Sequence, residues 1–129
     1  MADVGRIGVR HLAAGTDAVI RIDAAWIAVE PLDMRAGVDT ALGRVVSVFG
    51  AARSHHAYLF LNRRASRLKV LVHDGFGLWL CARRLQQGQF VRPDTHLGSS
   101  FELTSAQLQA LVVGLPWQRL SEYARISVL

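Results

Sequence analysis

The stretch that decides the fold is Ala57–Ala82, AYLFLNRRASRLKVLVHDGFGLWLCA, in which three apolar runs alternate with two polar connections. The three runs are Ala57–Leu61, Leu68–His73 and Leu78–Ala82. Short apolar runs bounded by polar and glycine residues are typical of strands. Asp74 and Gly75 supply a tight turn of the kind that joins antiparallel strands, with Gly77 close behind. The stretch therefore predicts a three-stranded β-meander.

The predicted strands lack a polar face. Tyr58–Leu61 and Val70–Val72 are consecutive apolar residues, so apolar side chains lie on both sides of these strands. Strands of this kind occur where both faces of a sheet are covered. We therefore expect helices on one or both sides of the meander.

A helix is predicted before the meander. Asp33 is placed to cap it, the periodic pattern starts at Met34, and Gly50 is expected to end it. Its apolar face comprises Val38, Leu42, Val45, Val46 and Phe49. Gly37 and Gly43 lower helix propensity, and we interpret them as points where the backbone approaches a neighbouring element closely.

A second helix is predicted after the meander. Gln86–Gly88 indicates a turn, Gln89–Arg92 a short strand and Pro93–Ser100 a loop. Thr104 and Gln107 have the spacing of a capping box, in which each side chain bonds the backbone N–H of the other residue. The helix that follows has an apolar stripe and stop signals, which are Leu108, Leu111 and Val112, then Gly114 and Pro116.

These elements predict an α+β domain, an antiparallel β-meander of about four to five strands packed against two main helices. A further strand is expected over Ala24–Val29. The chain has 129 residues and 51% hydrophobic content, which suffices for one core. We expect residues 24–129 to form that single domain, and residues 1–23 to be a variable N-terminal extension with at most one strand, Ala18–Ile22.

Composition indicates a cytoplasmic protein. The single cysteine, Cys81, lies in an apolar run and is interpreted as a small buried hydrophobe. The longest apolar run, Leu108–Leu115, is far shorter than the roughly 20 residues that cross a bilayer. Asp17 interrupts the stretch that would serve as the apolar region of a signal peptide. We therefore expect neither a membrane span nor secretion.

Positive charge is concentrated in the middle of the chain. The formal net charge is +5, and residues 53–92 carry eight Arg and Lys side chains against a single acidic one, Asp74. Six of these cations, here called the basic patch, are Arg63, Arg64, Arg67, Lys69, Arg83 and Arg84. In a meander the first connection and the end of the third strand lie at the same end of the sheet. Guanidinium groups favour phosphate oxygens, so this patch predicts binding to nucleic-acid phosphates, although arginines are also ordinary on a solvated surface.

Candidate catalytic and metal-binding side chains are scattered. Asp33 and Asp39 are six positions apart on one predicted helix, so they point about 240° apart and do not share a metal. His55 and His56 point to opposite faces of a strand, with no cysteine or carboxylate nearby to complete a zinc site. No glycine-rich stretch leads into a lysine followed by Ser or Thr, as in phosphate-binding loops. The sequence therefore predicts a protein that is not an enzyme and uses no metal or cofactor.

Four blocks of the sequence together resemble one family of bacterial mobile-element proteins. The blocks are Asp33–Asp39 (DMRAGVD), Leu59–Leu71 (LFLNRRASRLKVL), Asp74–Phe90 (DGFGLWLCARRLQQGQF) and Leu103–Trp117 (LTSAQLQALVVGLPW). In order and approximate spacing they resemble the TnpB-type accessory protein encoded by the second open reading frame of insertion sequence 66 (IS66) family transposable elements. Residues that match its motifs include Asp33, Met34, Arg35, Gly37, Asp39, Asn62, Asp74 and Gly75, besides the arginines and lysine at 63 to 69. Ala36 stands where a basic residue is usual, and His73 where an aromatic one is usual.

The resemblance implies a small cytoplasmic protein needed for transposition alongside a separate, larger transposase that holds the carboxylate triad. Our leading hypothesis is a non-catalytic accessory factor whose basic patch engages phosphates at the element ends, in a complex with that transposase. The alternative is a protein-interaction adaptor that binds the transposase, or another copy of itself, without contacting DNA. A weaker alternative is a hydrolase that uses His73 and Asp74, although a strand-end histidine more often caps the turn.

Overall fold

The computed structural model describes residues 21–120 and has the predicted α+β architecture. Its strands are β1 (Ala24–Ala28), β2 (His56–Leu61), β3 (Arg67–His73), β4 (Leu78–Arg84) and β5 (Ser100–Leu103). Its helices are α1 (Val38–Phe49) and α2 (Ser105–Val112), and a 3-10 turn spans Thr95–Leu97. The predicted fold class is confirmed. In this part of the chain, no helix has both the length and the apolar character needed to cross a membrane.

The sheet is centred on β2, with the strand order β4-β3-β2-β1-β5. Strands β2, β3 and β4 form the predicted antiparallel meander. Strand β1 is antiparallel to β5 but parallel to β2. The parallel pair arises because the chain crosses over through α1 between β1 and β2, and a crossover of this kind returns the chain to the end of the sheet from which it started.

One face of the sheet, here called the α1 face, is covered by α1. Ala41 and Val45 of the helix are fully buried and pack in one cluster with Tyr58, Phe60 and Leu71 of β2 and β3. The ring of Phe49 completes the contact, 4.9 Å from the ring of Tyr58 between centroids. The apolar side chains on this side of the predicted strands are therefore buried by a helix, as expected.

The opposite face, here called the α2 face, carries the larger cluster. Its members from the strands include Ile27, Leu59, Leu61, Leu68, Val70, Val72 and Leu103. Leu108 and Leu111 of α2 pack on them, and the indole of Trp117 is buried beside them with its Nε1 donating to the carbonyl of Val91 at 2.8 Å. Helices thus lie on both sides of the sheet, which confirms the expectation drawn from its two-sided apolar strands.

The predicted capping box opens α2. The Thr104 hydroxyl oxygen accepts from the Gln107 backbone N–H at 3.1 Å, and the Gln107 side-chain oxygen accepts from the Thr104 N–H at 2.9 Å. Gln107 is buried, and its Nε2 also donates to the carbonyl of Gln118 at 3.2 Å. The cap therefore fixes the helix start and holds the segment that follows the helix.

The start of α1 differs from the prediction. The helix begins at Val38, and its N-cap is Gly37, which offers no side-chain hydrogen bond. Asp33 instead closes the preceding turn, where its Oδ1 accepts from the backbone N–H of Arg35 at 2.9 Å and its carbonyl accepts from the N–H of Ala36 at 3.0 Å. The prediction that Asp33 caps the helix was wrong, because a local turn satisfies this carboxylate before the helix begins.

The apolar face predicted for α1 is also partly wrong. Val38 and Val46 are 39% and 48% exposed, whereas Ala41 and Val45 are fully buried. The buried stripe is centred on Ala41 and Val45, and Val46 lies about 100° further around the helix. Apolar periodicity alone did not reveal which edge of the stripe faces the sheet.

The glycines of the helices do not all have the expected role. In the described part of the chain, no neighbouring element lies within 4 Å of a Cβ placed on Gly37 or Gly43, so the predicted close approach at these positions was wrong. The close approach occurs at Gly114, just after α2. A Cβ there would lie 2.8 Å from Cδ1 of Leu85 and 2.9 Å from the carbonyl oxygen of Gln89.

The segment after β4 crosses the α2 face and does not extend the sheet. The strand predicted over Gln89–Arg92 is absent from this described segment, because Phe90 is buried and its N–H donates to the carbonyl of Ala65 at 2.9 Å. The fifth strand is β5, which starts at the last residue of the predicted loop Pro93–Ser100 and pairs with β1.

Two further expectations concern the chain ends and Cys81. The expected strand Ala18–Ile22 falls outside the described residues except for Arg21 and Ile22, which are not in a strand. Ile22 is buried in the α2-face cluster, and the Asp23 N–H donates to the carbonyl of His55 at 2.6 Å. Cys81 is partly exposed and not buried as predicted, because β4 lies at the edge of the sheet.

Two glycine substitutions should change stability in opposite directions. Gly114→Ala should lower the free energy of unfolding by roughly 1–3 kcal/mol, because this backbone has a φ of +84° and the new Cβ meets a main-chain carbonyl. Gly43→Ala should raise it by about 0.5–1 kcal/mol, because this helical site is open. Urea unfolding followed by circular dichroism measures both; a Gly114→Ala protein as stable as wild type would contradict the close approach.

Candidate nucleic-acid interface

The turn between β2 and β3 is built around the side chain of Asn62. Its Oδ1 accepts from the backbone N–H groups of Ser66 at 2.8 Å and Arg67 at 3.0 Å, and its Nδ2 donates to Ser66 Oγ at 2.9 Å. Its own carbonyl accepts from the N–H of Ala65 at 3.0 Å, and Ala65 has a left-handed φ of +56°. One asparagine thus fixes the whole turn, a role suited to its short amide side chain.

A second set of contacts anchors this turn to the body of the domain. Arg92 Nη1 donates to the carbonyls of Asn62 at 2.7 Å and Arg63 at 3.2 Å. The Ala65 side chain is buried, whereas Arg63 and Arg64 are exposed. These two arginines are therefore held outward by a turn whose backbone is bonded from two sides.

Arg67 and Arg84 lie directly opposite each other across the β3–β4 ladder. Directly opposed side chains have Cβ atoms about 4.5–5.5 Å apart, and like charges in that position destabilise a sheet. Both side chains are exposed, and neither forms an ion pair with a carboxylate in the described part of the chain. This end of the sheet therefore carries two adjacent positive charges without a carboxylate partner among the described residues.

Lys69 lies on the same face, two residues along β3 from Arg67. Its Nζ donates to the carbonyl of Ala36 at 2.7 Å, which ties the turn before α1 to the strand. In that turn Arg35 Nη2 contacts Asp33 Oδ2 at 2.8 Å. Hydrogen bonds from Arg35 hold the pKa of the Asp33 carboxyl at about 2, so this carboxylate neutralises Arg35 throughout the physiological range. The structure therefore joins the DMR block to the basic patch.

Arg83 lies on the other side of the sheet. Successive residues of a strand point to opposite faces, and the Arg83 Nε donates to the carbonyl of Val112 on the α2 face at 2.7 Å. The structure thus brings Arg67, Lys69 and Arg84 onto one face beside the Arg63 turn, and it does not bring Arg83 onto that face. Arg83 does share the same end of the sheet, since Leu68 is its cross-strand partner.

No carboxylate among residues 21–120 forms an ion pair with a member of the basic patch, although the charge of Lys69 contributes to the lowered pKa of the Asp33 carboxyl. The ion pairs in this range join Arg21 to Asp23, Arg35 to Asp33, and Arg44 to Glu30. None involves a member of the patch. The end of the sheet that carries the β2–β3 turn is therefore a site of unpaired positive charge.

The opposite end of the sheet carries the β3–β4 hairpin tip. Asp74 Oδ1 accepts from the N–H groups of Phe76 at 2.8 Å and Gly77 at 2.7 Å, and its Oδ2 accepts from Trp79 Nε1 at 2.8 Å. These donors lower the pKa of the Asp74 carboxyl. His73 Nδ1 accepts from the N–H of Gly75 at 3.0 Å. His73 and Asp74 thus each bond the turn backbone, as in the turn-capping interpretation, and the side chain of Phe76 is fully exposed at the tip.

The adjacent histidines have structural contacts. His56 Nδ1 accepts from Trp26 Nε1 at 3.1 Å, and burial lowers the pKa of the imidazole. His55 lies in the preceding turn with a φ of +63°. Its ring lies against Gly75, where an added Cβ would be 3.3 Å from the ring carbon Cε1 of His55. The described residues contain no group of three or more His, Cys, Asp or Glu side chains that could hold a metal ion.

Comparison with known proteins matches most of this chain to one family. The family model described as IS66 Orf2 like protein matches residues 23–122, which include the Asn62 turn, the basic patch and the hairpin tip. The chain belongs to the IS66 Orf2-like family. Membership supports an accessory role in transposition of an insertion sequence, a class of mobile element.

Two relatives of this IS66 Orf2-like chain come from Sinorhizobium fredii. The uncharacterized protein y4hO is 35% identical over 98 residues, which are 75% of this chain and 84% of that protein. The uncharacterized protein y4jC is 29% identical over 94 residues, which are 72% of this chain and 80% of that protein. No solved structure matches the chain.

The Asn62 side chain should stabilise the domain. Asn62→Ala should lower the free energy of unfolding by about 1–3 kcal/mol, because two backbone N–H groups of the turn lose their acceptor. Asn62→Asp keeps the acceptor oxygens and loses only the donation to Ser66, so it should cost less. Chemical denaturation of both variants tests this ranking; equal losses would show that the acceptor role is not the important one.

Proposed function

We propose that this protein assists transposition by binding DNA phosphates through its basic patch, at the ends of the mobile element and in a complex with the element's transposase. The observation that carries the proposal is the pair Arg67 and Arg84, opposed across the β3–β4 ladder without a carboxylate partner in the described chain. Such a pair costs stability in the free protein. A bound phosphate would remove that cost by placing negative charge between the guanidinium groups.

The surroundings of this pair support a polyanion as the ligand. Arg63 and Arg64 extend from the rigid Asn62 turn, and Lys69 lies on the same face as Arg67. Phosphates of one DNA strand are spaced along a line, so cations on a turn and on two adjacent strands can meet several of them at once. Contacts with phosphates position a protein on DNA without reading its sequence.

The charge of the patch should appear in the salt dependence of DNA binding. If the five patch cations other than Arg83 each contact a phosphate, log affinity for duplex should fall with log salt at a slope of about −4.5. The double variant Arg63→Glu, Arg64→Glu should make this slope shallower by about 2, since each lost contact removes roughly 0.9. Fluorescence anisotropy titrations with element-end and random duplexes at several salt concentrations measure both slopes.

The matched control is Arg53→Glu. Arg53 is exposed and lies at the other end of the sheet. Its backbone N–H donates to Tyr58 Oη at 2.8 Å, and its carbonyl accepts from the N–H of His56 at 3.3 Å. This variant changes net charge by the same amount per substitution but should leave the salt slope within error of wild type. Binding that is independent of salt in the wild-type protein would refute the proposal. If Arg53→Glu changed the salt slope as much per substitution as the Arg63→Glu, Arg64→Glu variant, the basic patch would not be the DNA-binding site.

A protein-interaction adaptor is the second candidate, and Phe76 is the observation that favours it. Its ring is fully exposed on a tip in which Asp74 and His73 accept hydrogen bonds from the turn backbone and Asp74 also accepts from the Trp79 indole. The tip lies at the end of the sheet away from the basic patch, about 20 Å along the seven-residue β3. A preorganised, exposed aromatic side chain is typical of a residue that dominates a protein interface.

The adaptor function predicts that Phe76→Ala weakens binding to the element's transposase about tenfold or more. The measurement is co-purification of the two proteins from nuclease-treated lysate, followed by titration of the purified pair. Leu115→Ala, which removes another exposed apolar side chain, is the control and should have little effect. Loss of the wild-type complex on nuclease treatment would favour bridging by DNA and reject the adaptor.

A further inference from the structure

Strand β4 forms one edge of the sheet, with β3 on its only paired side in the described structure. The strand is seven residues long, whereas β5 at the other edge has four. A long edge strand presents unpaired backbone N–H and C=O groups that another strand can join.

The hydrogen bonds of β3 identify the outward residues of β4. The carbonyl of His73 accepts from the N–H of His55, and the carbonyl of Arg67 accepts from the N–H of Asn62, so both carbonyls face β2. In an antiparallel ladder, a residue that bonds the strand on one side does not bond the strand on the other. The β4 residues opposite these two, Leu78 and Arg84, therefore direct their N–H and C=O away from β3.

The backbone groups of successive β4 residues point alternately toward β3 and away from it. Residues two apart in a strand direct their backbone groups to the same side, so Leu80 and Ala82 also face outward. The outward set is Leu78, Leu80, Ala82 and Arg84. Ala82 and Arg84 are themselves exposed, and Trp79 on the α2 face is 37% exposed. Among residues 21–120, no strand pairs with this side of β4, which leaves room for a strand of equal length.

The sequence of β4, LWLCARR, suits antiparallel pairing with a second copy of itself, because the arginines of one copy then lie beside the apolar half of the other. Its first half is apolar and its last two residues are arginines. Parallel pairing of two copies would place arginines beside arginines, which is unfavourable. Antiparallel pairing over the full length instead places Cys81 opposite Cys81 of the second copy, Trp79 opposite Arg83, and Leu78 opposite Arg84.

We infer that the protein forms a two-fold symmetric dimer in which β4 pairs antiparallel with β4 of a second copy, centred on Cys81. In this register the outward backbone groups meet in hydrogen-bonded pairs, Leu78 with Arg84 and Leu80 with Ala82. Cys81 and Trp79 fall in the non-hydrogen-bonded pairs, where side chains come closest. The two sheets become one continuous ten-stranded sheet.

The side chains on the α2 face favour this register. The Arg83 Nε is bonded to the carbonyl of Val112, which holds its guanidinium group over the α2 face. Trp79 of the second copy would lie on the same face directly opposite, where a guanidinium group and an indole attract each other. The same pair forms twice about the symmetry axis. This contact gives Arg83 a role that does not depend on DNA.

The test uses the full chain without DNA, so its outcome is independent of the proposed phosphate binding. Analytical ultracentrifugation of the wild-type protein at micromolar concentration should show a dimer. Ala82→Pro removes one outward N–H from each copy and should raise the dimer Kd about tenfold or more, since edge strands tolerate proline where the N–H faces outward. Ala82→Thr keeps the N–H and should dimerise like wild type.

The single cysteine reports the register. A short bis-maleimide should cross-link the wild-type dimer through Cys81, and Cys81→Ser should abolish the cross-link while the protein still sediments as a dimer. A monomeric wild-type protein would overturn the inference, including the case in which another part of this chain covers β4. A dimer that neither cross-links at Cys81 nor responds to Ala82→Pro would also overturn it, because the interface would lie elsewhere. Circular dichroism confirms that each variant is folded.

Discussion

The two-sided burial of β2 is the constraint on which the rest of the structure depends. Every residue from Ala57 to Leu61 is at most 2% exposed, with a strand on each side and a helix-bearing cluster on each face. A strand enclosed in this way cannot shift by one residue without moving its side chains into the opposite cluster. The turn that begins at Asn62 is therefore fixed in space by the strand before it, and the arginines that follow are presented from a rigid base.

Local sequence patterns predicted the meander but not the pairing of strands that lie far apart in the chain. The three strands of the meander are consecutive in the chain, so apolar runs and one turn signal sufficed to predict them. The same holds for the capping box of Thr104 and Gln107, which acts over three residues. The parallel pairing of β1 with β2 and the existence of β5 depend on contacts between distant segments. The prediction for Asp33 was wrong for a different, local reason, since Arg35 two residues away bonds this carboxylate within a turn that precedes the helix.

The site was predictable in position but not in detail. The meander topology was enough to infer that the two arginine groups share one end of the sheet. Alternation along a strand places Arg83 and Arg84 on opposite faces, and only the strand register shows that Arg84 is the one that shares a face with Arg67. The proximity of Arg35 follows from the bond between Lys69 and the carbonyl of Ala36, which joins residues 33 positions apart. No local signal in the sequence marks that contact, nor the clamp that Arg92 places on the Asn62 turn.

The pairing of β1 with β5 has a consequence for synthesis of the chain. Ala28 meets Ser100, about 70 residues later, so one side of β1 stays unpaired until nearly the whole domain has been translated. At roughly 5–20 residues per second this interval lasts about 4–14 s. During that time the nascent polypeptide exposes an apolar strand with unpaired backbone N–H and C=O groups. Such a segment is suited to binding by a ribosome-associated chaperone.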